Sequence, residues 1–434
     1  MSAEPGAAAG GAASRGLGAW LDYIDSRHAR TIDMGLQRVR EVADRLRLAP
    51  GFPVITVGGT NGKGSTCAML EAILDSAGYR TGCYASPHLF RYNERVRIGR
   101  AEVTDASLCE AFAAIDAARG DVPLTYFEFG TLAAMWQFIR SGVDVAVLEV
   151  GLGGRLDAVN VFDADCAVIT AIGIDHVEYL GPTRESIGFE KAGIARAGRP
   201  LVVADPDPPA TLLAHARSLG AQCLLTGEHF RAVADGVQWR HEGPGGTRAG
   251  LPFPALRGPY QLGNAAAAIT ALDALRLQLP VSTGAIREGL VTVELPGRFH
   301  VLPGRPVTIL DVAHNPHAAE RLAEALQSMT GVRETHAVFA MLNDKDMPGV
   351  ARLVKPQIDH WYLAPLPGPR GADVDQLSRA LDEAMILDDI HRYDSVGAAL
   401  AGARAAARHD DRIVVFGSFI TVAQGMQGIR GNAE

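Results

Sequence analysis

The stretch TVGGTNGKGST, Thr56 to Thr66, closes the short β-rich run PVITV and opens the alanine-rich helical pattern CAMLEAILDSAGY, which Gly78 ends. Strand, glycine loop and helix in that order make a place for a phosphate. Small residues let backbone N–H groups approach phosphate oxygens, and the helix N-terminus adds the positive end of its dipole. Lys63 offers a charge to the outer phosphates, and Ser65 or Thr66 a hydroxyl to a phosphate or a magnesium-bound water. The spacing departs from GxxxxGK[ST]: the first interval is one residue shorter, and Gly64 separates lysine from hydroxyl. An ordinary glycine-rich turn is the competing reading, and the flanking strand and helix favour nucleotide binding.

Working outward, DVAVLEV (Asp144 to Val150), CAVITAI (Cys166 to Ile172) and PLVVA (Pro200 to Ala204) are continuous apolar runs, the pattern of buried parallel strands. Helical segments separate them, FEFGTLAAMWQFIR and TRESIGFEKAGIAR among them. This alternation predicts an α/β protein with a doubly wound, mainly parallel sheet. Before the loop, LQRVREVADRLRL (Leu36 to Leu48) has apolar residues at helical spacing. Structure is expected from Ala19 onward, with residues 1–18 a disordered leader that lacks the apolar centre of a signal peptide. Residues 228–257 carry a weaker pattern and predict a small strand excursion, after which YQLGNAAAAITALDAL resumes as helix. A second α/β block begins after LPGRFH, Leu295 to His300, with Pro296–Gly297 as the boundary signal. Its strands are VTILDV, THAVFAM, HWYLAPL and RIVVFGS, each followed by a helical segment.

The 434 residues suffice for two packed cores. A net charge of −8 supplies no global field to gather nucleic acid or an anionic membrane, so neither is an expected partner. The five cysteines are scattered and form no CxxC pair, which argues against a disulfide framework or structural zinc and for a reducing cytoplasm. No apolar run approaches the length of a membrane span.

Several polar residues fall where such sheets bind ligands, at the carboxyl ends of strands. Glu149 ends VAVLE and leads into GLGGRLDAVN, so its carboxylate can hold Mg²⁺ directly or through water. His176 follows CAVITAI in IGIDHVEYL, at the same sheet edge. A lone histidine is more often structural, and convergence with Glu149 raises this one to a metal or phosphate candidate. Lys191, in GFEKAGI, reads by pattern alone as a solvated helical lysine. In the second block Asp311, His314 and Asn315 end VTILDV, and Gly417 and Ser418 end RIVVF. These suggest a second polar small-molecule site, while helix capping by Asn315 and Ser418 explains the same residues.

Taken in order, HARTIDMGLQRV, GGTNGKGST, SPHLFRYNERVRI, TYFEFGTLAA, LEVGLGGRLDAVN, AIGIDHVEYLG, ESIGFEKAGI, PGRFH, DVAHNPHA and FGSF resemble the bacterial bifunctional dihydrofolate synthase/folylpolyglutamate synthases of the Mur ligase superfamily. The resemblance spans about Ala19 to Gln424. It implies an N-terminal P-loop ATPase and pterin-binding domain over residues 19–296. A smaller Rossmann-like glutamate-ligase domain over 297–434 completes the implied architecture. It implies that ATP phosphorylates a pterin-linked carboxylate and that L-glutamate displaces the phosphate, using dihydropteroate first and reduced folates afterwards.

By the same resemblance Thr60, Asn61, Gly62, Lys63, Gly64 and Ser65 hold the ATP phosphates, with Asn264, Arg298 and Asp311 reaching ATP from the inter-domain side. Ser86, Glu149 and His176 are implied ligands of Mg²⁺ at two sites. Lys191 matches the lysine that CO2 converts to an anionic carbamate, which reverses its reading as a solvated residue. His314 and Ser418 are implied near the incoming glutamate, with Lys63, Lys191 and His314 as the catalytic set. Arg30, Thr31, Ile32, Asp33, Thr125, Tyr126, Phe127, Glu128, Arg155, Leu156 and Asp157 match the pterin-binding elements. FGSFITV departs from the pattern, with Ile420 where a histidine is often found. A cytoplasmic monomer is expected.

Other readings make different demands. A cell-wall amino-acid ligase of the same superfamily is expected to carry a separate domain for a UDP-sugar, and only about fifty-five residues precede Thr56. A monofunctional polyglutamylase keeps every phosphate motif but fails to use dihydropteroate. A non-catalytic nucleotide sensor has no use for Lys63, Glu149, His176 and Lys191 together. A GTPase lacks its guanine-reading NKxD segment here.

Overall fold

The computed structural model describes residues 15–28 and 32–430. Two sheets organise it. The first has eight strands, β1 Val54–Gly58, β2 Thr81–Tyr84, β3 Val96–Ile98, β4 Ala101–Glu102, β5 Val145–Glu149, β6 Cys166–Ile169, β7 Pro200–Val203 and β8 Gln222–Leu225, in the spatial order 4-3-2-5-1-6-7-8. All pairings are parallel except the β2–β3 and β3–β4 pairs at one edge.

The central strands are apolar throughout because helices cover both faces. Ala146, Leu148, Ile169 and Leu201 face a core built with helices 105–119, 126–141 and 184–192. Ile55, Val57, Val145, Val147 and Val168 face the other core, with helices 63–76, 261–274 and 283–292. The chain builds outward on one side of β1 through β5 and then on the other through β6, so β1 opens at a topological switch point.

The weak pattern after residue 228 is a three-stranded antiparallel sheet, β9 Arg231–Asp235, β10 Gln238–Gly243 and β11 Gly246–Pro252. It anchors to the second core through the buried Trp239. The second sheet contains β12 His300–Leu302, β13 Val307–Asp311, β14 Thr335–Phe339, β15 His360–Leu363, β16 Ile390–Arg392 and β17 Arg412–Phe416, in the order 12-13-17-14-15-16. Only β12 is antiparallel.

Where sequence and structure part, the differences are local. The first helix begins at Leu17, two residues ahead of the expected Ala19 and inside the stretch read as leader, because Trp20 and Ile24 anchor it to the core. The leader's first 14 residues, and Arg30 and Thr31 of the pterin set, lie outside the described residues. Strands β2, β3, β4, β8, β12 and β16 are short, and several are partly exposed, so they carry no long apolar run. No helix among the described residues is long and apolar enough to cross a membrane.

Candidate active site

Strand register places the first carboxylate. In the parallel β1–β5 pair, Val57 lies opposite Glu149, so the acid emerges beside the glycine loop. On the other flank Gly58 lies opposite Ile169, which brings the segment from Thr170 to His176 against the same loop. The Thr170 hydroxyl bonds to the Gly58 carbonyl at 3.1 Å and the Asn61 carbonyl at 2.7 Å. Gly59 has φ +142°, and a Cβ there would lie 1.8 Å from Thr170 Oγ1, so this position requires glycine.

The loop runs into the helix Lys63–Ser76 through Gly62, at φ +90°. Thr66 donates back to the Gly62 carbonyl (3.0 Å), which engages it internally. Ser65 Oγ accepts from Gln261 Nε2 (3.2 Å) and keeps its own proton to donate. The two hydroxyls that sequence leaves as alternatives therefore differ, and Ser65 is the one presented to a ligand.

Lys63 Nζ folds over the loop onto the carbonyls of Gly59 and Thr60, both at 3.1 Å. Lys191 Nζ reaches the same Gly59 carbonyl at 2.9 Å. Lys191 is only 4% exposed, which overturns the solvated-lysine pattern: its helix is two-faced, and this face lies beneath the loop. Burial, with the neighbouring Lys63 charge, lowers its pKa to about 7, so a large share is free amine at neutral pH. Burial lowers the Lys63 pKa also, opposed by Glu149.

Glu149 is 3% exposed and accepts a hydrogen bond from the Ser86 N–H at 3.1 Å. Desolvation raises its pKa, against the pull of Lys63 and Arg298. A buried carboxylate whose burial disfavours charge gains from a neighbouring cation. His176, with its pKa lowered to about 4 by burial, is a neutral imidazole with a lone pair to give. Glu149, His176 and Ser86 line one cavity, where their oxygens and imidazole nitrogen could serve a divalent cation.

A cavity of about 430 Å³ collects these groups. Its wall includes Thr60 to Gly64, Ser86, Glu149, His176 and Lys191 from the first sheet, with Arg298, His314 and Ser418 from the second block. The second polar site expected at the ends of β13 and β17 is therefore the far wall of the first. A smaller adjoining cavity of about 70 Å³ holds Asn61, Gly62 and Ser65 against Asn264, Arg298 and Asp311. The glycines again make room: a Cβ at Gly62 would lie 2.7 Å from Asn264 Oδ1. Gly64 has ordinary contact distances around its Cβ position, 3.6 Å from the Arg298 guanidinium and 3.7 Å from the Glu149 carboxylate, which sets those two groups beside the loop.

Capping and site roles coexist. Asn315 caps the helix Pro316–Gln327, accepting from Ala318 N at 2.9 Å, and its amide also donates to Asp175 (2.9 Å). Ser418 Oγ accepts from Thr421 N at 3.0 Å. Asp311 accepts N–H bonds from Phe299 (2.7 Å) and Ala313 (2.8 Å), and burial still raises its pKa. His314 Nδ1 pairs with the Val312 carbonyl at 2.8 Å, which makes Nδ1 the protonated nitrogen and leaves Nε2 a lone pair. Burial and the Lys345 charge lower the His314 pKa to about 4.

Among the described residues, none of the matched pterin set lies on the wall of the large cavity. Thr125 and Glu128 form a reciprocal capping box for the helix Tyr126–Ser141. Arg38 ties Glu128 (3.1 Å) to Asp33 (2.9 Å), with Ile32 adjoining in sequence. Tyr126 packs edge-on to Tyr92 under Arg95. Phe127 packs on Tyr84 and leaves no room for a side chain at Gly151, which lines the cavity. Asp157 holds the turn after Gly151 through the N–H groups of Leu152 (2.7 Å) and Val159 (3.0 Å), its pKa raised to about 6 by burial. The Leu156 carbonyl accepts from Gly35 N. Arg155 turns outward to Glu190 (2.9 Å) and Phe189.

Sequence reasoning missed an ion pair between the two blocks. Asp175 binds Lys345 at 2.6 Å, and His314 Nε2 stands 3.7 Å from the same carboxylate. Burial would raise the Asp175 pKa, but His176, Lys345 and His314 together drive it far down. Asp175 was findable beside His176, whereas Lys345, in LNDKDMP, has no local signal. Arg95 and Arg370 also line the cavity unanticipated.

Residues 57–272 match the Mur ligase middle domain and residues 297–419 the Mur ligase glutamate ligase domain, which together define a Mur-type ligase. The Escherichia coli (strain K12) dihydrofolate synthase/folylpolyglutamate synthase is 46% identical over 414 residues, covering 95% of this chain and 95% of that one. A solved structure of E. coli FolC in complex with DHPP and ADP superposes with a TM-score of 0.92 at 45% identity, over 97% of this chain and 99% of that one. Another, a bifunctional folylpolyglutamate synthase/dihydrofolate synthase with Mn, AMPPNP and L-glutamate bound, superposes at 0.89 and 45% identity, over 96% and 99%. The chain belongs to the dihydrofolate synthase/folylpolyglutamate synthase family.

Proposed function

We propose that the protein is an ATP-dependent ligase that joins L-glutamate to dihydropteroate and adds γ-linked glutamates to reduced folates. Both reactions pass through an acyl phosphate and release ADP and phosphate. The observation that carries the reading is the convergence of Lys63, Glu149, Lys191, His314 and Ser418 on one cavity between the two sheets.

A carboxylate is a poor acyl donor, and its oxygen must approach the γ-phosphate of ATP against like charge. The loop N–H groups and Lys63 hold the phosphates, and Arg298, beside Gly64, stands where it can offset the same charge. Ser86, Glu149 and His176 would hold magnesium, which supplies the remaining charge neutralisation at the γ-phosphate. The acceptor carboxylate oxygen bonds to phosphorus, the bond to ADP breaks, and the amino nitrogen of glutamate then attacks the carbonyl carbon as phosphate leaves. His314, a neutral imidazole on the cavity wall whose Nε2 keeps a lone pair, is the group assigned to take the proton that the amine gives up. Closure of the second block over the first excludes water from the acyl phosphate.

Lys191 is carbamylated in this reading: its free amine adds to CO2, loses a proton, and becomes an anion that helps hold a second magnesium. The two domains divide between residues 296 and 297, the first opening with the helix that begins at Leu17, and the enzyme acts as a cytoplasmic monomer. Asp33, Phe127 and Asp157 shape the folate-binding end, Phe127 offering a flat ring to the pterin or to the elements around it.

The test is magnesium-dependent phosphate release from ATP and L-glutamate, with dihydropteroate and tetrahydrofolate as separate acceptors. Release with both supports the bifunctional enzyme. Release with tetrahydrofolate alone leaves a polyglutamylase, and stoichiometric ATP binding with no release leaves a nucleotide sensor.

A further inference from the structure

We propose a second metal site, for a zinc-type divalent cation, formed by Glu334, His336 and His360 at the amino-terminal edge of the second sheet. The parallel β14–β15 register sets His336 directly opposite His360. Their imidazoles stack with centroids 4.5 Å apart and planes 21° from parallel. One ligand atom from each of the three residues falls within 4.8 Å of the other two.

Two features point to a cation rather than to a polar surface patch. His336 is 2% exposed, and its Nε2 is buried without a hydrogen-bond partner. Asp411 Oδ2 stands 3.4 Å from that nitrogen, a long ion-pair contact, and already takes Arg333 at 2.8 Å. Tyr362 pairs with the other ring nitrogen at 3.0 Å and fixes the imidazole. A buried orphan nitrogen is costly unless something binds it. The second feature is spacing. His360 Nε2 stands 3.4 Å from Glu334 Oε2, close to the ~3.4 Å edge of a tetrahedron with metal–ligand bonds of about 2.0–2.1 Å.

The donor set selects the metal. Two imidazoles and one carboxylate suit zinc, cobalt or nickel and do not suit magnesium, which prefers oxygens. Arg333 also touches Glu334 Oε2 at 2.9 Å, so it would have to share that carboxylate or release it to Asp411. Glu334 and His360 keep part of their side chains in solvent, which gives the ion a way in and leaves a coordination position for water. The location separates this site from the ligase chemistry. Strands β14 and β15 begin here and end toward the catalytic cavity, so the strand length, about 17 Å, lies between them. A bound ion would clip β14 to β15 and stabilise the second block.

Titration of the full-length protein with Co²⁺ in excess Mg²⁺ tests this, read by the visible absorption of nitrogen-coordinated cobalt and by the Zn²⁺-dependent rise in Tm. One equivalent is expected to bind in the wild type and in Glu149→Gln, which disables the competing catalytic donors. His360→Ala, at a partly exposed position, should weaken binding by about 100-fold or more and abolish the Zn²⁺-dependent rise in Tm, while its metal-free Tm stays near wild type. Glu334→Gln should weaken binding in the same direction. The proposal fails if no equivalent binds in excess Mg²⁺, if binding is lost in Glu149→Gln, or if it survives His360→Ala unchanged.

Discussion

Two sheets present loops at their carboxyl ends, and the two edges treat their polar groups differently. At the second sheet the groups are mutually satisfied: Asn315 and Ser418 cap helices, and Asp311 accepts two backbone N–H bonds. At the first sheet Lys63 and Lys191 converge on one carbonyl, and Glu149 is buried with its pKa raised. Unfavourable burial of charge is a cost to the free protein that an arriving triphosphate and cation can relieve. One edge is therefore poised for phosphate and cation, and the other, apart from the raised pKa of Asp311, is largely hydrogen-bonded within itself and completes the cavity.

The largest effect expected from breaking this contrast is at Glu149. Glu149→Ala should lower phosphate release by on the order of 10³-fold with Tm near wild type, because the removed charge is unfavourable in the free protein. Activity that persists at saturating magnesium would remove Glu149 from the metal site. Lys191→Ala comes next, with a loss of roughly 10²-fold or more and partial recovery in added formate or acetate, which replace the missing anion. Full activity without any added acid would return Lys191 to a packing role.

A pH series sharpens the same point. The Lys191 pKa, lowered to about 7, makes the reactive amine scarce below that value. Bicarbonate-dependent activity should decline as pH falls through about 7, and Lys191→Ala should lose that inflection. The sign for stability is the same: the cost of the buried ammonium is fully present below pH 7. It fades as pH rises toward 10.5, because only the unfolded chain still holds the proton.

Breaking the contact between the blocks should cost less. Lys345→Ala removes the 2.6 Å partner of Asp175 and is expected to lower kcat about 10-fold and raise KM for glutamate. Unchanged kinetics would make the pair a bystander to closure. The smallest effect is at the satisfied edge. Ser418→Ala should cost about 1 kcal/mol of stability through the lost cap. An additional rise in KM for glutamate would show that the hydroxyl also meets substrate, and a Tm change alone would confine it to capping.

What sequence by itself determined here was local and periodic. A glycine loop between an apolar run and a helix, apolar strands ending in Glu149 and Asp311, and caps such as Asn315–Pro316 are all written within a few residues. They suffice to place Lys63, Glu149 and His176 on one sheet edge before any coordinates. Only the tertiary structure decided which polar residues meet across the chain. Lys191 looked solvated because periodicity reports a helix face but not what covers it, and the loop 132 residues away buries it. The stacking of His336 on His360 depends on sheet register, whereas the pairing of Lys345 with Asp175 and the merging of two expected polar sites into one cavity depend on how the two blocks pack. Short edge strands escaped notice for the related reason that one or both of their faces meet solvent. Side-chain chemistry is carried by sequence, but convergence is produced by contacts between residues far apart along the chain, and no local window contains them.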